Sequence, residues 1–231
     1  MPQTRPTTTA PQPAKPKLEP PPQFQEGDIA KMDASALIRI LGDTRAPEFQ
    51  KAKACQRIGE LGAKEAVPAL AALLPDPHLS VYARYGLEPI ADASADDALR
   101  AALAKLKGTL LIGVINSIGK RRDAKASPTL ARMINDSDPD VARAAAAALG
   151  SIGGEASSKT LQEALGRTKG TTRMAVADAC LVCAERLLAA NARDQALALY
   201  AYLSRPDIPG PARLGAMQAI IREETATGRP R

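Results

Sequence analysis

Aromatic residues are almost missing from this chain: its 231 residues include no tryptophan, two phenylalanines and four tyrosines. A core with so few rings is filled by Ala, Leu, Ile and Val, which supply most of the 45% apolar content. Small side chains of high helix propensity favour closely packed helices over a β-sandwich. The same scarcity leaves few platforms on which nucleic-acid bases stack. Histidine is scarcer still: His78 stands alone, which excludes catalytic designs that use two imidazoles. Three cysteines are too few, and too odd a number, for a disulfide framework. No run of about 18 apolar residues occurs, so no membrane insertion is expected. No apolar segment behind Met1 marks a secretory signal.

What is abundant at the start is proline. Residues 1–25 carry eight of the nineteen prolines. At this density proline blocks both helix and ladder pairing, so residues 1–30 are expected to be a disordered, extended tail or linker reaching on the order of 80 Å. A spacer is favoured over a ligand for an SH3-like module. Such a linker is either a free arm or the join to an upstream portion of a longer protein. The compartment follows that choice: cytoplasmic as written, extracytoplasmic if a signal peptide or anchor precedes. In the tail Arg5, Lys15 and Lys17 cancel Glu19, Glu26 and Asp28, so the net charge of +6 sits on the remainder. That bias permits acidic partners or nucleic acid and requires neither.

From Lys31 onward the sequence repeats itself. Cys55-Gln-Arg-Ile58, Leu87-Glu-Pro-Ile90, Ile115-Asn-Ser-Ile118 and Leu149-Gly-Ser-Ile152 end alike, their isoleucines 32, 28 and 34 residues apart. Gly59, Gly119 and Gly153 follow three of them, where a helix end is expected to adopt left-handed geometry. Gly150 is read in the same way, as a helix terminator. Asp76-Pro77 and Asp138-Pro139 sit at one offset of 62 and are expected to start helices, with Asp as N-cap and Pro at the first position. Shorter helices are expected between them at 64–74, 94–107 and 123–134. The pattern predicts about six antiparallel helix pairs from Asp33 to about Glu224, stacked as a solenoid in which each pair buries its apolar face on its neighbours.

Asp136-Ser-Asp138-Pro139-Asp-Val141-Ala-Arg143, followed by Ala144, Ala145, Ala148, Leu149, Gly150, Ile152 and Gly153, resembles the second helix of HEAT repeats, in particular the short bacterial PBS-lyase-type HEAT-like repeats. The resemblance is strongest over residues 47–166. It fades over 167–231, where the helices expected at 172–190, 193–203 and 211–223 look like an irregular cap. It implies an all-α, right-handed solenoid spanning residues 31–231, with the second helices lining the concave face, and it implies binding of another macromolecule rather than a particular chemistry. The repeated His-Glu pairs of the di-iron HEAT hydroxylases are absent.

Several motifs have a structural reading stronger than their chemical one. Gly153–Thr160, GGEASSKT, lacks the second glycine of a phosphate-binding loop and follows a helix rather than a strand. It is read as a turn in which Ser157 or Ser158 caps the next helix. Cys180-Leu-Val-Cys183 falls mid-helix, away from the helix N-terminus that would activate a redox cysteine, and is read as two buried small hydrophobes. His78, two residues into the Asp76-Pro77 start, is expected to face solvent. No metal and no cofactor is expected.

Two stretches depart from the repeat. VYARYGLEPI places Tyr82, Arg84, Tyr85 and Glu88 where the related helix has small residues, and Pro89 ends it without a glycine. NSIGKRRD, Asn116 to Asp123, crowds Lys120, Arg121 and Arg122 into one inter-repeat turn. In a solenoid these elements stand side by side, so Tyr82, Arg84, Tyr85, Glu88, Asn116, Arg121, Arg122 and Asp123 form the candidate binding patch. The competing reading is a buried ion pair between Arg84 or Arg121 and Glu88 or Asp123, stitching two repeats together. The expected function is a non-enzymatic, monomeric scaffold that binds an unidentified protein. The alternatives are a nucleic-acid-binding protein, as the HEAT-like DNA glycosylases are, or an enzyme or enzyme partner resembling the phycobilin lyases, with Glu88 and Tyr85 as its acid–base pair.

Overall fold

Short polar residues set the helix starts. The Asp33 carboxylate accepts the Ala36 N–H at 2.8 Å and opens α1 (Ala34–Gly42). Asp92 does the same for Ser94 at 2.9 Å before α5, and Asp138 for Asp140 at 2.9 Å before α8. The computed structural model describes Pro21 and residues 27–226. Most of the proline-rich tail therefore lies outside the described residues. Within them the chain is all-helical. After α1 come α2 (Glu48–Leu61), α3 (Val67–Ala72), α4 (Ser80–Leu87), α5 (Ala93–Leu103) and α6 (Gly108–Arg121). They are followed by α7 (Ser127–Met133), α8 (Pro139–Ile152), α9 (Gly154–Arg167), α10 (Gly170–Ala189), α11 (Arg193–Leu203) and α12 (Gly210–Ala226).

The twelve helices form six pairs, and the pairs stack. Each even-numbered helix packs on its own partner and on the even-numbered helices before and after it. Odd-numbered helices make a second layer, with α3 against α1 and α5, and α7 against α9. One apolar core runs between the layers from Ile29 to Ala219. Ile29 sits in a short 3-10 turn and is buried, so this residue, within the stretch expected to be tail, is part of the core.

Glycines act differently from their expected role. Gly59, Gly119 and Gly150 lie inside α2, α6 and α8, and none of them ends a helix. They let backbones meet. A Cβ on Gly119 would lie 2.9 Å from the Ala148 Cα, and one on Gly150 only 2.6 Å from the Ala179 carbonyl oxygen. Gly59 and Gly86 face each other across α2 and α4 in the same way. The left-handed helical residues come later, at Gly62 (φ 64°) and Arg122 (φ 57°), while Gly153 ends α8 at positive φ (73°) with an extended ψ outside the left-handed helical region. The close approaches explain the alanine run of α8. Ala144, Ala145, Ala146 and Ala148 are buried between α6 and α10, and Ala147 alone of the run faces solvent.

Two further expectations change. Asp76-Pro77 makes a capping turn in which Asp76 accepts from both His78 and Leu79, and α4 proper begins at Ser80. Ser157 and Ser158 cap nothing: α9 starts at Gly154, and both serines are buried inside its first turns, Ser158 taking a hydrogen bond from Gln162. His78 is exposed, and the two α10 cysteines are buried and unpaired.

Candidate partner-binding site

The even-numbered helices touch through small residues at most junctions, but not between α4 and α6. There the space is filled by polar side chains. Spaced at one helical turn, Arg84 and Glu88 on α4 face Gly113, Ser117 and Lys120 on α6. A Cβ on Gly113 would fall 2.7–2.9 Å from three atoms of the Arg84 guanidinium, which therefore lies flat against the α6 backbone. Glu88 accepts from the Ser117 hydroxyl at 2.8 Å and pairs with the Lys120 ammonium. That pairing raises the Lys120 amine above its ordinary value.

Arg121 holds the two repeats together. Its guanidinium pairs with Asp96 of α5 at 2.6 and 3.0 Å. It also donates to the backbone carbonyls of Leu87, Glu88 and Ile90 at 3.0, 2.8 and 2.7 Å. These are the carbonyls that Pro89 leaves without a continuing helix, so an arginine from the next repeat caps α4 in place of a glycine. Asp123 is buried, pairs with Arg100 of α5 and accepts the Lys125 N–H at 3.1 Å, closing the turn after α6.

The eight residues singled out from the sequence thus divide. Arg121 and Asp123 are inter-helix ion pairs, but with Asp96 and Arg100 rather than with Glu88 or Arg84. Arg122 occupies the left-handed position after α6 and is exposed. Tyr82, Arg84, Tyr85, Glu88 and Asn116 share the α4–α6 surface. Tyr82 and Tyr85 are 45% and 55% exposed, which is unusual for rings in a chain with so few. Beside them Gly59, Glu60, Tyr85, Glu88, Pro89 and Lys120 line an open cavity of about 360 Å³. Its lining combines Gly59, Pro89 and Tyr85 with side chains of both charge signs, Glu60, Glu88 and Lys120.

Sequence reading missed Gly113, Ser117, Asp96 and Arg100. Ser117 was detectable, because it lies one turn from Gly113 and Lys120 on the face of α6 toward α4. Asp96 and Arg100 carried no signal for this junction, since Arg121 and Asp123, the partners they meet there, lie more than twenty residues away.

A family model described as HEAT repeats matches residues 86–180, from the end of α4 into α10. Residues 86–180 are HEAT repeats. The matched stretch starts later and runs further than the 47–166 of the sequence resemblance, and it includes all of α6 and α8. Among solved structures, the chain is similar to the complex of CpcE and CpcF of phycocyanin lyase from Nostoc sp. PCC7120 at 17% identity and a TM-score of 0.45, covering 94% of this chain and 99% of that one. None of the curated proteins compared with the chain matches it. The HEAT repeats hold no group of three or more His, Cys, Asp or Glu side chains placed to bind a metal among the described residues. No helix among those residues is long and apolar enough to cross a membrane.

Proposed function

We propose that the protein is a non-enzymatic scaffold that holds a partner protein on the even-helix face of its HEAT array, across α4 and α6. The observation that carries this reading is the exposed Tyr85 lining the cavity of about 360 Å³, with Tyr82, also exposed, one turn before it on α4. Tyrosine is an interface anchor because it offers a large rigid contact area with a polar tip and little rotamer freedom to lose. A cavity of that size takes one or two side chains of a partner segment rather than a large cofactor. Glu88, the carboxylate that would serve acid–base chemistry with Tyr85, is already engaged by Lys120 and Ser117, as in a structural ion pair.

The test compares affinity capture from a native extract on the full-length protein and on its Tyr85→Ala variant. Tyr85 is exposed, so the variant is expected to keep its helical circular dichroism. A protein retained by the wild type should be lost about tenfold or more by the variant, the usual effect of truncating an aromatic anchor. Retention of nothing that depends on Tyr85 ends the proposal. Captured material that nuclease removes, with a steep loss at rising salt, would instead support nucleic-acid binding.

A further inference from the structure

Charge pairing at the α4–α6 junction is complete for carboxylates and incomplete for cations. Glu60 accepts from Arg57 and Gln56, Glu88 from Lys120 and Ser117, Asp96 from Arg121, and Asp123 from Arg100. Arg84 is left over. Among the described residues it makes no ion pair, its one side-chain hydrogen bond goes to the Ser117 hydroxyl at 3.4 Å, and its Nε is buried with no hydrogen-bond partner. Burial pushes the guanidinium below its ordinary pKa, with Glu88 only partly opposing. A half-buried, unpaired guanidinium is unfavourable in the free protein, because lost hydration is not replaced. Packing does not require it, since an apolar side chain would fill the space over Gly113 equally well. Strain of this kind, kept beside an exposed aromatic pair, marks a group waiting for its counter-ion.

We infer that the α4–α6 groove recognises an acidic side chain of the partner polypeptide, its carboxylate accepting from the Arg84 guanidinium while a neighbouring apolar residue enters the cavity beside Tyr85. This rests on the reading of that groove as the partner site. Charge complementarity selects the occupant: Arg84, one helical turn from the cavity-lining Glu88, is a cation with no ion pair among the described residues, and arginine matches a carboxylate with paired hydrogen bonds.

The experiment pans a library of random peptides, displayed through their C-termini so that only side chains offer carboxylates, on the full-length protein. Selected peptides should carry Asp or Glu at one position next to an apolar residue. Replacing that acid by its amide in a synthetic peptide should weaken binding to the wild type about tenfold, the worth of one charge-assisted pair. The same replacement should change nothing for Arg84→Met. That variant should also unfold in urea at the same midpoint as wild type or a higher one, because it removes an unsatisfied buried group. A lowered midpoint makes Arg84 a structural residue and overturns the inference. Selected peptides that lack an acidic position but are lost with Tyr85→Ala overturn it too, while leaving the partner site in place. Peptides insensitive to both substitutions, or no selection at all, remove the site and the inference together.

Discussion

Gly150 and Gly113 show how one missing methyl can serve two ends. At Gly150 the missing Cβ makes room for backbone, the Ala179 carbonyl of α10, which cannot move without parting the helices. Gly150→Ala is therefore expected to destabilise by about 1–3 kcal/mol in urea unfolding, the range for overpacked contacts. At Gly113 the space is taken by the end of a flexible side chain, the Arg84 guanidinium. Gly113→Ala should cost less than about 1 kcal/mol, because Arg84 can swing away and alanine is the better helix former. It should nonetheless weaken partner binding as Arg84→Met does. If Gly113→Ala proves the more destabilising of the two, Arg84 is held in place by packing and not merely resting on α6.

At the scale of the element, α10 buries both of its cysteines, the reading its mid-helix C-x-x-C spacing implied. Burial raises its Cys180 and Cys183 thiols from 9.0 to about 12 and about 11, and Cys55 of α2 likewise to about 12. The folded chain keeps these protons where an unfolded one releases them. Their contribution to stability is thus fully present below about pH 9 and is lost as pH rises toward the folded values near 11 and 12. Urea midpoints should be flat between about pH 7 and 8.5 and fall by pH 10.5, less steeply in Cys180→Ala, with native thiols unreactive to alkylation at neutral pH. A native α10 thiol that alkylates at neutral pH would refute the burial argument. The inert reading of α10 was legible because both cysteines sit mid-helix among apolar neighbours. Helices α8 and α11 were legible too, α8 from its Asp138-Pro139 start and α11 with both ends correct. What stayed hidden was which glycine ends a helix and which lets another helix in. Both uses leave the same letter at the same repeat position, and only the neighbouring helix, some thirty residues on, tells them apart. The candidate site was half legible for that reason: the tyrosines stand out by composition, whereas the Arg121–Asp96 pairing depends on which faces the repeats turn to each other.

For the whole molecule, stability in a solenoid is a chain of nearest-neighbour couplings, and the weakest coupling decides whether the array unfolds as one body. Small residues bring backbones together at the α2–α4, α6–α8 and α8–α10 junctions, whereas at α4–α6 the guanidinium of Arg84 stands between them. Across that junction Arg121 closes three carbonyls of one repeat and a carboxylate of the other, beside the Glu88–Ser117 and Glu88–Lys120 pairs. Removing it leaves Asp96 unpaired and the end of α4 uncapped, a loss of about 3 kcal/mol on the scale of broken buried pairs. Arg121→Lys should recover little of this, because an ammonium cannot reproduce the planar fork that spans both sets of acceptors. The effect should also be uneven along the chain. In Arg121→Ala, hydrogen exchange followed by mass spectrometry is expected to quicken in α1–α4 while α6–α10, close-packed on their own, stay protected, so that a single urea transition splits into two. Uniform loss of protection over all twelve helices would mean that the core shared between the layers, and not Arg121, carries the coupling across this junction. If the exposed Tyr82 and Tyr85 beside this junction do seat a partner, that partner should add coupling of the kind that the free protein draws from Arg121.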